Sequence, residues 1–274
     1  WFETAKMGED WQAAWITPDW DDNQIHPLLY RELQLPAPVA EARAYICGLG
    51  LYHFEVNGRK VGEEYLTPYC NAYDQWIQYQ TFDVTDQLQA GTNLLSVMLG
   101  NGWYKGRYGA NGGAVNFYGD RFALLCELHI TLEDGTRLVV VTDSSWKAQP
   151  SPVIVSDIFD GEMVDARISK IPAPEAASPV RPIAIGTDRL EARRSLPVRV
   201  IETIKPVALL HTPAGETVLD MGQNMTGWVR FRTTAPAGTE ICLQFGEVLQ
   251  DGSFFRDNLR TAKAEYVYIA DGTE

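Results

Sequence analysis

The chain has 274 residues, with 23 Lys and Arg against 36 Asp and Glu, for a net charge of −13. Its 45% hydrophobic and 22% charged residues supply enough apolar surface for a packed core, which excludes wholesale disorder. The acidic balance excludes a nucleic-acid binder and disfavours anionic lipid, and no apolar run approaches the roughly 18 residues of a membrane span.

The opening Trp1-Phe2-Glu3-Thr4 has no initiator Met and lacks the basic start and apolar run of a signal peptide. It predicts a chain cut from a longer one and leaves cellular location open. Trp11 to Ile16 and Leu29 to Leu35 are the first expected strands. Ala44 to Cys47 and Tyr52 to Val56 follow, the second ending at Asn57-Gly58, the dipeptide of a type I′ hairpin turn. Thr85 to Gly91 reads as one capped helical turn, with Thr85 as its cap. Leu124 to Leu132 meets Asp134-Gly135 and resumes as Arg137 to Val141, a second hairpin. Ile171 to Pro182 carries four prolines among small residues and reads as an extended, unpaired connector. Beyond it, Val218 to Asp220, Trp228 to Arg232, Glu240 to Gln244 and Ala264 to Ile269 are strand-like.

Short strands at this spacing, with no long helical period, predict an all-β protein of two jelly-roll-like β-sandwich domains, 1–185 and 186–274. The strands of the second begin near Ile201. It ends on the turn-like Asp271-Gly272-Thr273-Glu274, so it is expected to be incomplete. Trp15, Ile46, Phe54, Val97, Leu125, Leu128, Trp146 and Trp228 are the expected core. Cys47, Cys70, Cys126 and Cys242 are too widely spaced for a zinc site and are expected to be reduced.

Chemistry-bearing motifs are few. The glycines of Gly100-Asn101-Gly102-Trp103-Tyr104-Lys105-Gly106 miss the dinucleotide-binding spacing and open no long helix. Asp19 to Asn23 offers oxygens, but Gln24 and Tyr30 stand where a calcium loop needs Gly and Glu. The four histidines are isolated, and there is no serine elbow. Asp157, Asp160, Glu162 and Asp165 cluster, as a glycosidase's carboxylates would, although acidic residues beside glycine more commonly cap turns or pair with arginine. The loop Gly100 to Arg121 is the most suggestive segment. It interleaves Trp103, Tyr104, Tyr108, Phe117 and Tyr118 with Asn101, Asn111, Asn116 and Asp120. Aromatic faces with a few convergent polar groups hold sugars; the alternative is that the aromatics pack the loop onto its own sandwich. The candidate sugar contacts are Asn101, Trp103, Tyr104, Asn116 and Asp120.

An ordered set of segments resembles the non-catalytic β-domains of bacterial α-L-rhamnosidases. They are Leu49 to Gly62, Tyr79 to Asp86, Leu99 to Tyr104, Gly119 to Arg121, Phe159 to Arg167, Asp220 to Trp228 and Asn258 to Lys263. The resemblance runs from about Trp11 to the end and implies galactose-binding-like sandwiches. It also implies that the chemistry of these inverting glycosidases sits in an (α/α)6 barrel whose acidic motif is absent from this chain. The chain is then an accessory and scaffold fragment with no catalytic residue of its own. Its implied partners are a rhamnose-containing glycoside and the catalytic domain of the same polypeptide, with no nucleic acid or membrane. In some relatives calcium assists L-rhamnose binding through Asp and Asn side chains. No cofactor is required here, and calcium, if used, would draw on loops around Asn71 to Asp74 and Asn101 to Asp120. Asn71 and Asp74 are the candidate ligands, although Asn71-Ala72 lacks a contiguous Asp-Asn pair. Scaffold, carbohydrate-binding module and self-sufficient hydrolase remain the three readings.

Overall fold

The computed structural model describes residues 5–109 and 112–273, so Trp1 to Thr4 and Asn111 lie outside it. The protein is all-β. The strands are β1 (Ile16–Pro18), β2 (Pro27–Leu35), β3 (Val39–Leu49), β4 (Leu51–Val56), β5 (Arg59–Lys60), β6 (Ile77–Asp83) and β7 (Gly91–Gly100). The four-residue helix α1 (Gly102–Lys105) precedes β8 (Ala123–Leu132), β9 (Arg137–Val141), β10 (Lys147–Pro150), β11 (Val153–Asp157), β12 (Gly161–Asp165) and β13 (Ser178–Pro182). Then come β14 (Leu190–Ala192), β15 (Ala208–His211), β16 (Thr217–Asp220), β17 (Glu240–Gln244), β18 (Val248–Gln250), β19 (Ser253–Phe255) and β20 (Glu265–Ile269).

Two layers form the first sandwich. One runs β14-β6-β3-β8-β1, with β9 on β8; the other runs β10-β2-β7-β4-β5. β13 joins them by changing partner midway: Ser178 and Pro179 pair with β10, and Val180 to Pro182 pair with β1. Ile171 to Pro182 is therefore not an unpaired connector. Its last five residues are the strand at the junction of the layers, where a short ladder on each side tolerates the missing N–H groups of Pro179 and Pro182.

Side-chain alternation along β3 and β8 builds two cores. Ala44, Ile46, Leu124, Cys126 and Leu128 point between the layers against Phe54, Leu95, Val97 and Trp146. Cys47, Leu49, Ala123 and Leu125 point outward, where Trp15, Tyr73 and Tyr79 cover them. All four cysteines are free thiols, with Cys47 and Cys126 buried and Cys70 and Cys242 exposed.

The turns follow local chemistry. Asn57 and Gly58 both take positive φ between β4 and β5, as a type I′ turn requires. In the β8–β9 hairpin only Gly135 does, at 84°, while Leu132 N–H donates to Thr136 O at 2.8 Å. That is a three-residue loop closed by a left-handed glycine rather than a two-residue turn. The single turn at Thr85–Gln87 is a 3₁₀ turn; Val84 rather than Thr85 stands at its N-cap, without a side-chain cap, and Asp83 just before it accepts the Thr85 N–H at 3.0 Å.

Residues after β14 form the β15–β16 and β18–β19 hairpins and complete a third sheet, β11-β12-β20-β17. β12 pairs with β20 in parallel over five register positions, Gly161 against Glu265 through Asp165 against Ile269. This sheet thus joins residues 153–165 to residues 240–269. Trp228, expected in the core, is 50% exposed. Trp228 to Arg232 forms no strand, and the Trp228 ring rests on Tyr65 with centroids 4.5 Å apart. Among the described residues no helix is long and apolar enough to cross a membrane.

Candidate functional site

The loop between β7 and β8 is built around glycine. Gly102 opens α1 at φ 54°, and a Cβ there would lie 2.7 Å from Leu51 Cγ. A Cβ on Gly119 would meet the Tyr104 hydroxyl at 2.1 Å, so Tyr104 folds back under the loop's own exit. Tyr104 and Tyr118 both pack on buried Tyr73, with centroids at 5.1 and 5.2 Å. Trp103, Tyr104 and Tyr118 lean on the outward-facing core of the β3–β8 layer, so packing accounts for these three aromatics. Burial, with the Asp120 charge adding to it, raises the Tyr104 pKa.

The polar candidates are spread over this loop. Asn101 Oδ1 is buried and has no hydrogen-bond partner among the described residues. Asn116 is half-buried at φ 58° beside Phe117, which is 58% exposed. Asp120 is exposed and accepts from Asn23 Nδ2 at 3.3 Å. Beneath it lies Lys105, which the sequence did not single out. Its ammonium is buried 5.0 Å above the Phe122 ring and donates to Gln24 Oε1 at 3.4 Å. Burial lowers its pKa against the opposing charges of Asp120 and Asp22. His26 packs on the same ring, and burial together with the Lys105 charge lowers its pKa to about 4, outweighing the opposing Ile154 backbone.

Asn71 and Asp74 share the loop that carries Tyr73, but only Asp74 faces solvent. Asn71 is buried and its amide is fully engaged. Nδ2 donates to Pro68 O and Tyr69 O, and Oδ1 accepts from the backbone N and Nε2 of Gln78, all at 3.2 Å. Calcium takes six to eight oxygens, and this one would first have to give up both donors. The Asn71 side chain thus does not fit a cation site as arranged, and no group of three His, Cys, Asp or Glu gathers among the described residues.

The carboxylates at 157–165 are also engaged. Asp157 Oδ1 accepts from the Phe159 and Asp160 N–H groups at 2.8 and 3.1 Å, and Oδ2 accepts from Arg107 N–H at 2.7 Å. Asp160 pairs with Arg107 at 2.6 Å. Asp165 receives three bonds from Arg167, two from its side chain and one from its backbone N–H, which hold its carboxyl below the usual carboxylate range. Glu162 is exposed on β12. Turn capping and arginine pairing, not a facing pair in a cleft, are what this geometry serves.

Residues 37–202 match the alpha-L-rhamnosidase N-terminal domain, and residues 210–274 match the bacterial alpha-L-rhamnosidase concanavalin-like domain. The chain belongs to the alpha-L-rhamnosidase N-terminal domain family. An alpha-L-rhamnosidase of Streptomyces avermitilis is 34% identical over 99% of this chain and 28% of its own length. One from Formosa agariphila is 31% identical over 95% of this chain and 30% of its own length. Among solved structures, the native rhamnosidase of Aspergillus terreus superposes with a TM-score of 0.91 at 34% identity, over 96% of this chain and 32% of that one. The S. avermitilis enzyme complexed with L-rhamnose gives 0.84 at 34% identity, over 91% of this chain and 25% of that one. The chain therefore spans under a third of the length of these relatives.

Proposed function

We propose that this chain is an accessory region of an α-L-rhamnosidase, without catalytic chemistry of its own, that presents an apolar face to the rest of the enzyme. The observation that carries this reading is where apolar side chains stay exposed. Of the 22 large hydrophobics exposed among the described residues, 14 fall between Leu196 and Leu249, about a fifth of the chain. Beyond Pro182, Val267 and Ala270 are the apolar residues buried among those described. A solvent-facing surface of this composition marks an interaction site. A second reading, an L-rhamnose-binding module that uses calcium, draws on exposed Phe117 beside Asn116 and on the rhamnose complex of the S. avermitilis relative.

Two measurements separate these readings from a self-sufficient hydrolase. Incubation with a chromogenic α-L-rhamnoside is expected to release nothing above the buffer blank; release would overturn the non-catalytic assignment. Calorimetric titration of L-rhamnose, with calcium and then with excess chelator, is expected to give no heat at millimolar sugar. Heat that depends on calcium would establish the second reading, and heat that survives chelation would establish a sugar site without the metal.

A further inference from the structure

Three segments distant in sequence converge on one guanidinium. Arg107 Nη2 donates to Asp160 Oδ1 at 2.6 Å and to Thr261 O at 2.8 Å; Nη1 donates to Thr261 Oγ1 at 2.9 Å and Gly112 O at 3.2 Å. The same guanidinium lies 5.4 Å from the Phe159 ring centroid, and 15% of the side chain is exposed. Asp160 Oδ1 also accepts the Lys263 N–H at 3.3 Å. One residue of the aromatic loop thus ties the β11–β12 turn to the segment entering β20, across the two matched family regions, 37–202 and 210–274.

We propose that Arg107 is the fastener that fixes residues 257–263, the segment entering β20, onto the first sandwich, a positioning residue rather than a binding one. The segment it holds needs an external constraint. Arg260 and Ala264, at φ 59° and 45°, bracket Thr261–Lys263 in the left-handed region, and such non-glycine residues persist where surroundings over-determine them. Within 256–262 the backbone bonds, Leu259 to Arg256, Arg260 to Asp257 and Ala262 to Leu259, are local and give no attachment to the sandwich. From Ala264 onward the chain is held by its ladder with β12 and by Ala264 and Glu265 N–H donating to Phe159 and Asp160 O at 3.0 and 3.2 Å, whereas Thr261 and Lys263 are reached by Arg107 and Asp160. A planar fork with five donors reaches a carboxylate, a hydroxyl and two carbonyls at once; an ammonium is a point donor and does not. This role holds whether or not the chain binds sugar.

Hydrogen exchange by mass spectrometry on the full chain tests it, comparing wild type with Arg107→Ala, Arg107→Lys and Asp160→Asn. Arg107→Ala is expected to raise exchange in 257–263 roughly tenfold, as loss of a charge-assisted contact would, with Ala42–Cys47 and Ala123–Ile130 unchanged. Arg107→Lys, which keeps the charge and guards against a variant that fails to fold, is expected to recover only part of the protection. Asp160→Asn is expected to fall between wild type and Arg107→Ala. Unchanged protection of 257–263 in Arg107→Ala, full protection in Arg107→Lys, or an equal loss in the core strands would each overturn the proposal.

Discussion

Glu127 shows how much one side chain can hold. It is completely buried on β8, where Lys6 Nζ lies 2.5 Å from Oε2 and His129 Nε2 3.1 Å from the same oxygen. Oε1 accepts the Ala13 N–H at 2.9 Å and also that of Gln12. Burial alone would raise this carboxyl's pKa, but Lys6, Ala13, His129 and Gln12 together hold it below the usual range. Lys6 in turn lies over the Trp11 and Tyr45 rings, so the pair staples the entering segment to the sandwich. Glu127→Gln leaves the Lys6 charge buried and unpaired, which costs about 3–5 kcal/mol. Because the folded pKa lies below the unfolded one, this contribution is complete above the unfolded carboxyl pKa and is lost as pH falls through the folded value. Urea unfolding of wild type and Glu127→Gln is expected to differ by a constant amount from pH 7 to pH 5 and to converge below about pH 4. A difference independent of pH would show that packing, not charge, is what the substitution removes. None of this was legible in the sequence, since 121 residues separate Lys6 from Glu127 and neither carries a local signature.

At the scale of elements, legibility follows locality. Asn57-Gly58 turns as read, with positive φ at both positions, because the preference is carried by the dipeptide itself. Their places in apolar runs put Ile46, Phe54, Val97, Leu125 and Leu128 inside, since a strand covered on both faces is apolar along its length. What failed needed knowledge of partners. The prolines of β13 suggested unpaired chain because the change of layers that accommodates them is not written in 171–182. Trp228 looked like core because an aromatic in an apolar run carries no sign of whether another element will cover it. The parallel pairing of β12 with β20 was equally hidden, yet one residue fixes it. Gly161, at φ 99°, brings its backbone so close to β20 that a Cβ would sit 1.8 Å from Glu265 O. Gly161→Ala combines a strained φ with a backbone clash, so it should cost more than the roughly 1 kcal/mol that Gly→Ala gains at a compatible site. Limited proteolysis is expected to cut the variant between Asn258 and Glu265 at protease levels that leave wild type intact. An unchanged digestion pattern would mean that the two strands separate without consequence for this region.

For the whole molecule, two opposing properties meet at the same surface. A net charge of −13 keeps copies apart, while the exposed residues between Leu196 and Leu249 favour covering that face with other apolar surface. Which one wins depends on salt. The screening length is about 30 Å at 0.01 M and about 3 Å at 1 M, so repulsion acts across the whole face in dilute buffer and barely beyond contact in concentrated salt. Burial of apolar area has no comparable screening, and salts excluded from the surface strengthen it. Sedimentation velocity is therefore expected to show a monomer in dilute buffer and reversible association near 1 M sodium sulfate. Leu219→Ser with Leu249→Ser removes two of the exposed side chains of this stretch, at 55% and 44%, without touching either core of the first sandwich. The double variant is expected to stay monomeric in sulfate and to unfold at the wild-type urea midpoint. Association that persists in it would place the contact elsewhere, on the exposed Val115 and Phe117 of the aromatic loop, and would count against 196–249 as the face offered to the rest of the enzyme.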